Sequence, residues 1–163
     1  MRTLAEFIFF ALAVVLFNPT GGESADLQKG QNAYNQGDYA TALHELQPLA
    51  EQGNAAAQYA LGVMHANGDG IPMNFDTALK WYTLAAEQGY AFAQYTLAKI
   101  YGSHDGVPTD YVRAHMWANI AANNGFEVGG QLRDEFAKEM TPVQIEEAQK
   151  LYRECVKANY IWC

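Results

Sequence analysis

The chain has 163 residues, enough for one domain with a sizeable core, and half of these residues are apolar, as in globular proteins. The formal net charge is −8, so the surface repels the phosphates of nucleic acids and the headgroups of anionic membranes. The composition therefore predicts that neither nucleic acids nor anionic membranes are partners. Alanine is abundant and β-branched residues are sparse, a bias that favours helices.

Residues 1–25 are predicted to be a secretory signal peptide. Arg2 precedes an unbroken apolar run over residues 7–17, and small residues follow the break at Asn18-Pro19. The run is too short to cross a bilayer, which takes about 20 helical residues. We expect cleavage near residues 22–25, which places the mature chain in the periplasm or outside the cell. The alternative is an uncleaved membrane anchor.

Residues 26–52 are predicted to form a first pair of helices that caps the N-terminal end of the fold. The turn between these helices is expected at Gln36-Gly37-Asp38-Tyr39, where glycine and aspartate favour a break. The residues that follow contain a clear internal repeat.

A 36-residue repeat is the main feature of the sequence. Residues 53–88 align without gaps on residues 89–124, and 13 of the 36 pairs are identical. Self-similarity at such a period is typical of helical repeat proteins, in which one unit buries its apolar face only by stacking on the next. The identical pairs are Gly53/Gly89, Ala55/Ala91, Ala57/Ala93, Gln58/Gln94, Tyr59/Tyr95, Leu61/Leu97, Asp69/Asp105, Gly70/Gly106, Pro72/Pro108, Ala78/Ala114, Trp81/Trp117, Ala85/Ala121 and Ala86/Ala122.

Each repeat is predicted to contain two helices. In the first repeat, one helix covers about residues 55–67, and a glycine- and proline-containing turn follows. Asn74, or Asp110 in the next repeat, is placed to cap the second helix, and Gly89 follows its end, where a left-handed residue is usual. Close packing between the helices is expected at the small residues Ala57, Gly62, Ala78 and Ala86, with Trp81 and Trp117 filling the space between layers.

Residues 125–163 are predicted to be a degenerate repeat followed by a capping helix. Thr141, Pro142 and Gln144 have the spacing of a capping box with proline at the first helical position. Cys155 and Cys163 are the only cysteines. They fit either a disulfide that holds the tail or two free thiols.

The segments AAAQYALG, NGDGIP and ALKWYTLAAEQG resemble the Sel1-like repeat, a relative of the tetratricopeptide repeat. The resemblance covers residues 53–124 and partly residues 37–52, while the first helix pair is closer to a tetratricopeptide unit. It implies an all-α fold: a right-handed α-solenoid of antiparallel helix pairs, with a concave groove and a C-terminal capping helix. Members of the family commonly act as adaptors or scaffolds for other proteins.

One stripe of positions differs between the repeats while the positions around it are shared. In the family's geometry this face of the first helix lines the concave groove, so the stripe is the predicted partner-binding site, with ordinary solvent surface as the alternative. An acidic groove with a few aromatic residues suits a basic or amphipathic peptide. The stripe consists of Ala56, Ala60, Val63 and Asn67 in the first repeat and Phe92, Thr96, Lys99 and Ser103 in the second.

Sequence motifs for catalysis, cofactors or metals are missing. The histidines form no cluster at metal-ligand spacing, and no phosphate-binding or nucleophile motif is present. Cys155 has no histidine close in sequence to activate it as a nucleophile. The predicted function is therefore a non-enzymatic adaptor or scaffold in the cell envelope. The alternatives are a hydrolase acting on the cell wall and an accessory subunit of an envelope complex.

Overall fold

The computed structural model describes residues 21–103, 107–161 and 163. These residues form helices and turns without strands. The eight helices are α1 (Gly21–Asn35), α2 (Tyr39–Glu51), α3 (Ala55–Asn67), α4 (Phe75–Glu87), α5 (Ala91–Gly102), α6 (Tyr111–Asn123), α7 (Val128–Lys138) and α8 (Pro142–Lys157).

The helices pack in chain order as a stack of hairpins. Helices α1 to α6 each contact the next helix, α7 packs on α6, and α8 returns to pack on α6 as well. The all-α solenoid predicted from the repeat is thereby confirmed. Because successive hairpins stack with the same spacing, corresponding residues of the two repeats occupy corresponding places in the structure.

Local signals near the helix ends act as predicted. The side chains of Asn74 and Asp110 accept hydrogen bonds from the backbone N–H groups three residues later, at 2.9 and 3.0 Å. Gly89 has a φ of 83°, a left-handed conformation that ends α4 at little cost only with glycine. Thr141 and Gln144 form the predicted capping box at the start of α8.

The apolar core consists of two clusters along the stack, one in α1 to α3 and one in α4, α5, α6 and α8, and both contain many small residues. Ala57, Ala78 and Ala86 are fully buried, as expected for positions where helices meet closely. At Gly62 the approach is closer still, because a Cβ atom there would lie 2.5 Å from a ring carbon of Tyr82. Gly62 therefore lets α4 place a large ring against the backbone of α3.

A chain of side-chain amides connects the hairpins at one edge. Gln58 donates to the Ala50 carbonyl (3.1 Å) and accepts from the amide of Gln88 (2.7 Å). The same arrangement recurs 36 residues later, where the fully buried Gln94 donates to the Ala86 carbonyl (3.0 Å) and accepts from Asn124 (2.9 Å). These bonds satisfy carbonyls at the end of one hairpin with side chains of the next. Stacking is thus specified by hydrogen bonds as well as by apolar contact.

The C-terminal region closes the stack. Gly129 allows α7 to approach α6, because a Cβ atom there would lie 2.7 Å from the Ala118 carbonyl oxygen. Cys155 and Cys163 are joined in a disulfide with their Cα atoms 5.4 Å apart. The tail held by this bridge places the hydroxyl of Tyr160 3.0 Å from the side-chain oxygen of Asn124, at the end of the amide chain.

The predicted signal peptide falls mainly outside the described residues, which begin at residue 21. Helix α1 is described from Gly21 onward, so it includes residues ahead of residue 26, where the first predicted helix pair begins. The region of expected cleavage, residues 22–25, therefore belongs to the first turns of α1. No helix in the described part of the chain has the length and apolar character needed to span a membrane.

Candidate functional site

The predicted stripe faces two adjoining hollows on the side of the stack formed by α1, α3 and α5. We call the two hollows together the groove. The first hollow has a volume of about 350 Å³, and its lining includes Ala56, Ala60 and Val63 from the stripe. The second has a volume of about 450 Å³, and its lining includes Thr96, Lys99 and Ser103. Phe92 lines both, and its side chain is half-exposed where they meet.

Asn67 is the stripe residue that the structure places outside the groove lining. Its side-chain amide donates to the carboxylate of Asp69 at 3.0 Å, and the hydroxyl of Tyr34 donates to the same oxygen at 2.8 Å. Burial, together with this hydrogen bond, raises the pKa of Tyr34 above its ordinary value. The Tyr34–Asp69 bond ties α1 to the turn after α3 and so holds one wall of the first hollow in place.

A row of aromatic rings in tilted and edge-on contact runs along the groove. The ring centroid of Phe92 lies 5.0 Å from Phe126, 5.7 Å from Tyr90 and 6.2 Å from Tyr59. Tyr95 continues the row, 4.8 Å from Phe126. Such ring pairs stabilise one another by about 0.5–1.5 kcal/mol beyond area burial. Phe92 is thus an aromatic side chain that is held in position on several sides and still open to solvent.

The two hollows are lined by different side chains at two equivalent positions. Ala56 and Ala60 form part of the lining of the first hollow, and 36 residues later the corresponding residues, Phe92 and Thr96, form part of the lining of the second. At these positions the first repeat contributes small side chains and the second repeat larger ones. The volume of the first hollow falls in the range of ligand pockets, roughly 300–1,000 Å³.

Several groove residues were not predicted from the sequence. Tyr59 and Tyr95 were recognised as an identical pair across the repeats, but shared identity was interpreted as packing, whereas both rings line the groove. Gln31 and Tyr34 come from α1 and Phe126 from the turn after α6, outside the aligned repeats. No periodic signal identifies these three, because they reach the groove only through stacking.

The charge of the groove differs from the sequence-based expectation of an acidic surface. No carboxylate belongs to the described lining of either hollow, and Lys99 is its one charged residue. The prediction of an acidic groove is therefore wrong for these residues, because the acidic side chains that dominate the net charge lie elsewhere. Burial raises the pKa of Tyr90, so that its hydroxyl remains a neutral hydrogen-bonding group in the first hollow.

Groups suited to catalysis are sparse among the described residues. Within them, no three histidine, cysteine or acidic side chains meet where a metal ion could be held. Cys155 is in the disulfide, so it offers no thiolate nucleophile in this state. His65 and His115 each leave a buried Nδ1 without a hydrogen-bond partner, and burial lowers the pKa of both rings. His104 and Asp105 lie outside the described residues.

Comparisons with known proteins place the repeat in a family. The model of the Sel1 repeat matches residues 55–90 and 91–126, two residues after the boundaries taken from the self-alignment. A Sel1 repeat protein from Oxalobacter formigenes is 31% identical over 69% of this chain and 88% of its own, with a TM-score of 0.61. The chain belongs to the Sel1 repeat family. No curated protein sequence matches it.

A second solved structure extends the similarity beyond the two repeats. A protective antigen present in uropathogenic Escherichia coli strains, which displays an SLR fold, is 28% identical with a TM-score of 0.78. The match covers 86% of this chain but only 32% of the antigen, so this chain spans about a third of that protein. Sel1 repeat proteins generally mediate protein–protein interactions, and their fold is typically a non-enzymatic scaffold.

Proposed function

We propose that this Sel1 repeat protein is exported and serves as an adaptor in the cell envelope, binding a segment of a partner protein in the groove. The half-exposed ring of Phe92 at the junction of the two hollows carries the proposal. Large aromatic side chains in partly enclosed positions are enriched among the residues that dominate binding energy at interfaces.

Two features support export. The apolar run over residues 7–17 has the layout of a signal peptide. The disulfide between Cys155 and Cys163 is a bond that persists in oxidising compartments and is rare in the cytosol. Mass spectrometry of the chain recovered from the periplasm or medium tests this part. We expect the mature N-terminus near residues 22–25, and an intact chain retained in the cytoplasm would contradict export.

The binding site is tested by a photo-crosslinking amino acid in place of Phe92, and in place of Val143 as a control. Val143 is an exposed apolar residue on α8 that lines neither hollow. We expect a protein crosslinked at position 92 and absent at position 143. With that protein purified, Phe92→Ala should weaken binding by about tenfold or more, since truncating a central anchor costs about 2 kcal/mol.

The control is Val143→Ala, which truncates an exposed apolar side chain outside both hollows and should leave the affinity unchanged. Equal affinities for wild type, Phe92→Ala and Val143→Ala would show that the partner binds elsewhere on the molecule. Circular dichroism of each variant establishes that the helices are retained.

A further inference from the structure

The one charged side chain in the groove has a sign opposite to that of the whole chain. The net charge is −8, whereas Lys99 brings a positive charge to the second hollow. Lys99 is exposed, and its ammonium group makes no ion pair within the described residues. The described lining of both hollows is otherwise uncharged and rich in aromatic rings. A partner therefore meets apolar surface and a single unpaired cation.

We propose that the groove selects a peptide segment with two features: an apolar or aromatic anchor for the first hollow and an acidic side chain that pairs with Lys99. This inference rests on the proposed function, because it specifies the partner of the same groove. It also reverses the charge preference inferred from composition alone. A basic segment would bring like charge to Lys99 and find no carboxylate among the described lining residues to compensate it.

The helix geometry sets the spacing between the two features. Phe92 and Lys99 are seven residues apart on α5, which corresponds to about 10 Å along the axis and nearly the same face. An extended peptide advances about 3.3 Å per residue. For an anchor that contacts Phe92, the acidic residue should therefore lie about three positions away in an extended segment that runs along α5.

The shape of the first hollow indicates what the anchor is. Ala56 and Ala60 provide a small-residue surface, and the rings of Tyr59, Tyr90 and Phe92 surround it. A leucine, phenylalanine or similar side chain buries its surface there against rings and methyl groups. Burial of such a side chain favours binding, and the costs of association offset part of this gain.

The proposal is tested with random peptides displayed on phage and selected on the purified chain. We expect the selected peptides to combine an apolar or aromatic residue with aspartate or glutamate about three positions away. One selected peptide is then synthesised with blocked termini, so that an acidic side chain is the only source of a carboxylate. Its affinity should fall about tenfold or more in Phe92→Ala, as truncation of an anchor predicts.

A double-mutant cycle locates the charge contact. Lys99→Gln should weaken the peptide about two- to fivefold, the range of a solvent-exposed ion pair. Replacing the acidic residue of the peptide by its amide should cause a similar loss in wild type and almost none in Lys99→Gln. Lys80→Gln is the matched control, since Lys80 is an exposed lysine on α4 outside both hollows. It should leave the affinity unchanged.

The outcomes distinguish this inference from the proposed function. Peptides that depend on Phe92 but are enriched in lysine and arginine, or in no charge at all, would overturn the acidic preference and leave the adaptor proposal standing. Additive losses in the cycle would likewise overturn the pairing with Lys99. Selection that yields no peptide dependent on Phe92 would overturn both.

Discussion

At the scale of single residues, the two repeats fill the same contact between their two helices with side chains of different sizes. In the first repeat Gly62 on α3 meets the ring of Tyr82 on α4. One repeat later the corresponding residues are Ala98 and Ala118, both fully buried. The small size of Gly62 was recognised from the sequence. The ring that it accommodates was not, because only the structure shows which residue of α4 it faces.

We predict that Gly62→Ala destabilises the protein. Alanine favours a helix over glycine by about 0.5–1 kcal/mol, but an overpacked core costs about 1–3 kcal/mol, so the free energy of unfolding should fall by about 1 kcal/mol. Urea denaturation measures it. Gly130→Ala in α7 is the matched control, because its Cβ atom would lie 3.9 Å from the nearest side chain, that of Ala122. Equal stabilisation of both variants would contradict the close contact.

His115 is expected to make stability depend on pH. Its side chain is buried, and burial first and the charge of Arg133 second lower its pKa below 6.5, partly opposed by Asp134. A group with a lowered folded-state pKa binds more protons when unfolded. As the pH falls below about 6.5, the unfolded chain takes up this proton before the folded chain does, so the free energy of unfolding decreases until the folded pKa is reached. Above 6.5 the free energy of unfolding keeps its full value.

The measurement for His115 is the free energy of unfolding between pH 7.5 and pH 5. His115→Phe removes the titrating ring and should flatten this dependence, leaving the contribution of His65, whose pKa burial also lowers. An unchanged slope in His115→Phe would rule out this source of the pH dependence.

At the scale of helices and hairpins, the amide chain explains why certain polar residues recur in the core. Gln58 and Gln94 are buried and identical across the repeats, and each bonds the carbonyl at the end of the preceding hairpin. Their recurrence was visible in the sequence. The hydrogen bonds were not, since Gln88 and Asn124 pair with residues 30 positions away. These contacts form only when one hairpin stacks on the next.

We predict that Gln94→Met lowers the free energy of unfolding by about 1–3 kcal/mol. Methionine has a similar shape but removes two hydrogen bonds. The Ala86 carbonyl keeps the Gly89 N–H as a partner, whereas the part-buried amide of Asn124 loses its acceptor, and an unsatisfied polar group carries about that cost. Chemical denaturation measures the loss. Gln47→Met tests an exposed amide on α2, which bonds only Glu51, and should change stability by less than about 0.5 kcal/mol.

At the scale of the whole molecule, the C-terminal tail fastens the end of the stack. The bridge from Cys155 to Cys163 spans eight residues and brings Tyr160 against Asn124 and close to Gly89. The sequence left open whether the cysteines are joined. Their pairing depends on how the chain after α8 turns back, which the spacing of two cysteines alone does not determine.

We predict that reducing the disulfide lowers the free energy of unfolding by about 2 kcal/mol, the value expected for a loop of this length. Thermal denaturation with and without dithiothreitol measures the effect as a lower melting temperature. Cys163→Ala should match the reduced wild type and show no further response to the reductant. A wild-type melting temperature that dithiothreitol leaves unchanged would contradict a stabilising role for the bridge.

The family, the helical hairpins and most of their ends could be predicted from the sequence. These depend on local chemistry: capping side chains such as Asn74, left-handed glycines such as Gly89 and an apolar period act within a few residues. The composition of the groove could not be predicted in this way, because it depends on how the hairpins stack. Tyr34 and Phe126 lie far apart in the chain and come to the same surface through stacking. The uncharged lining around Lys99 follows from that assembly, and a net charge summed over the chain does not reveal it.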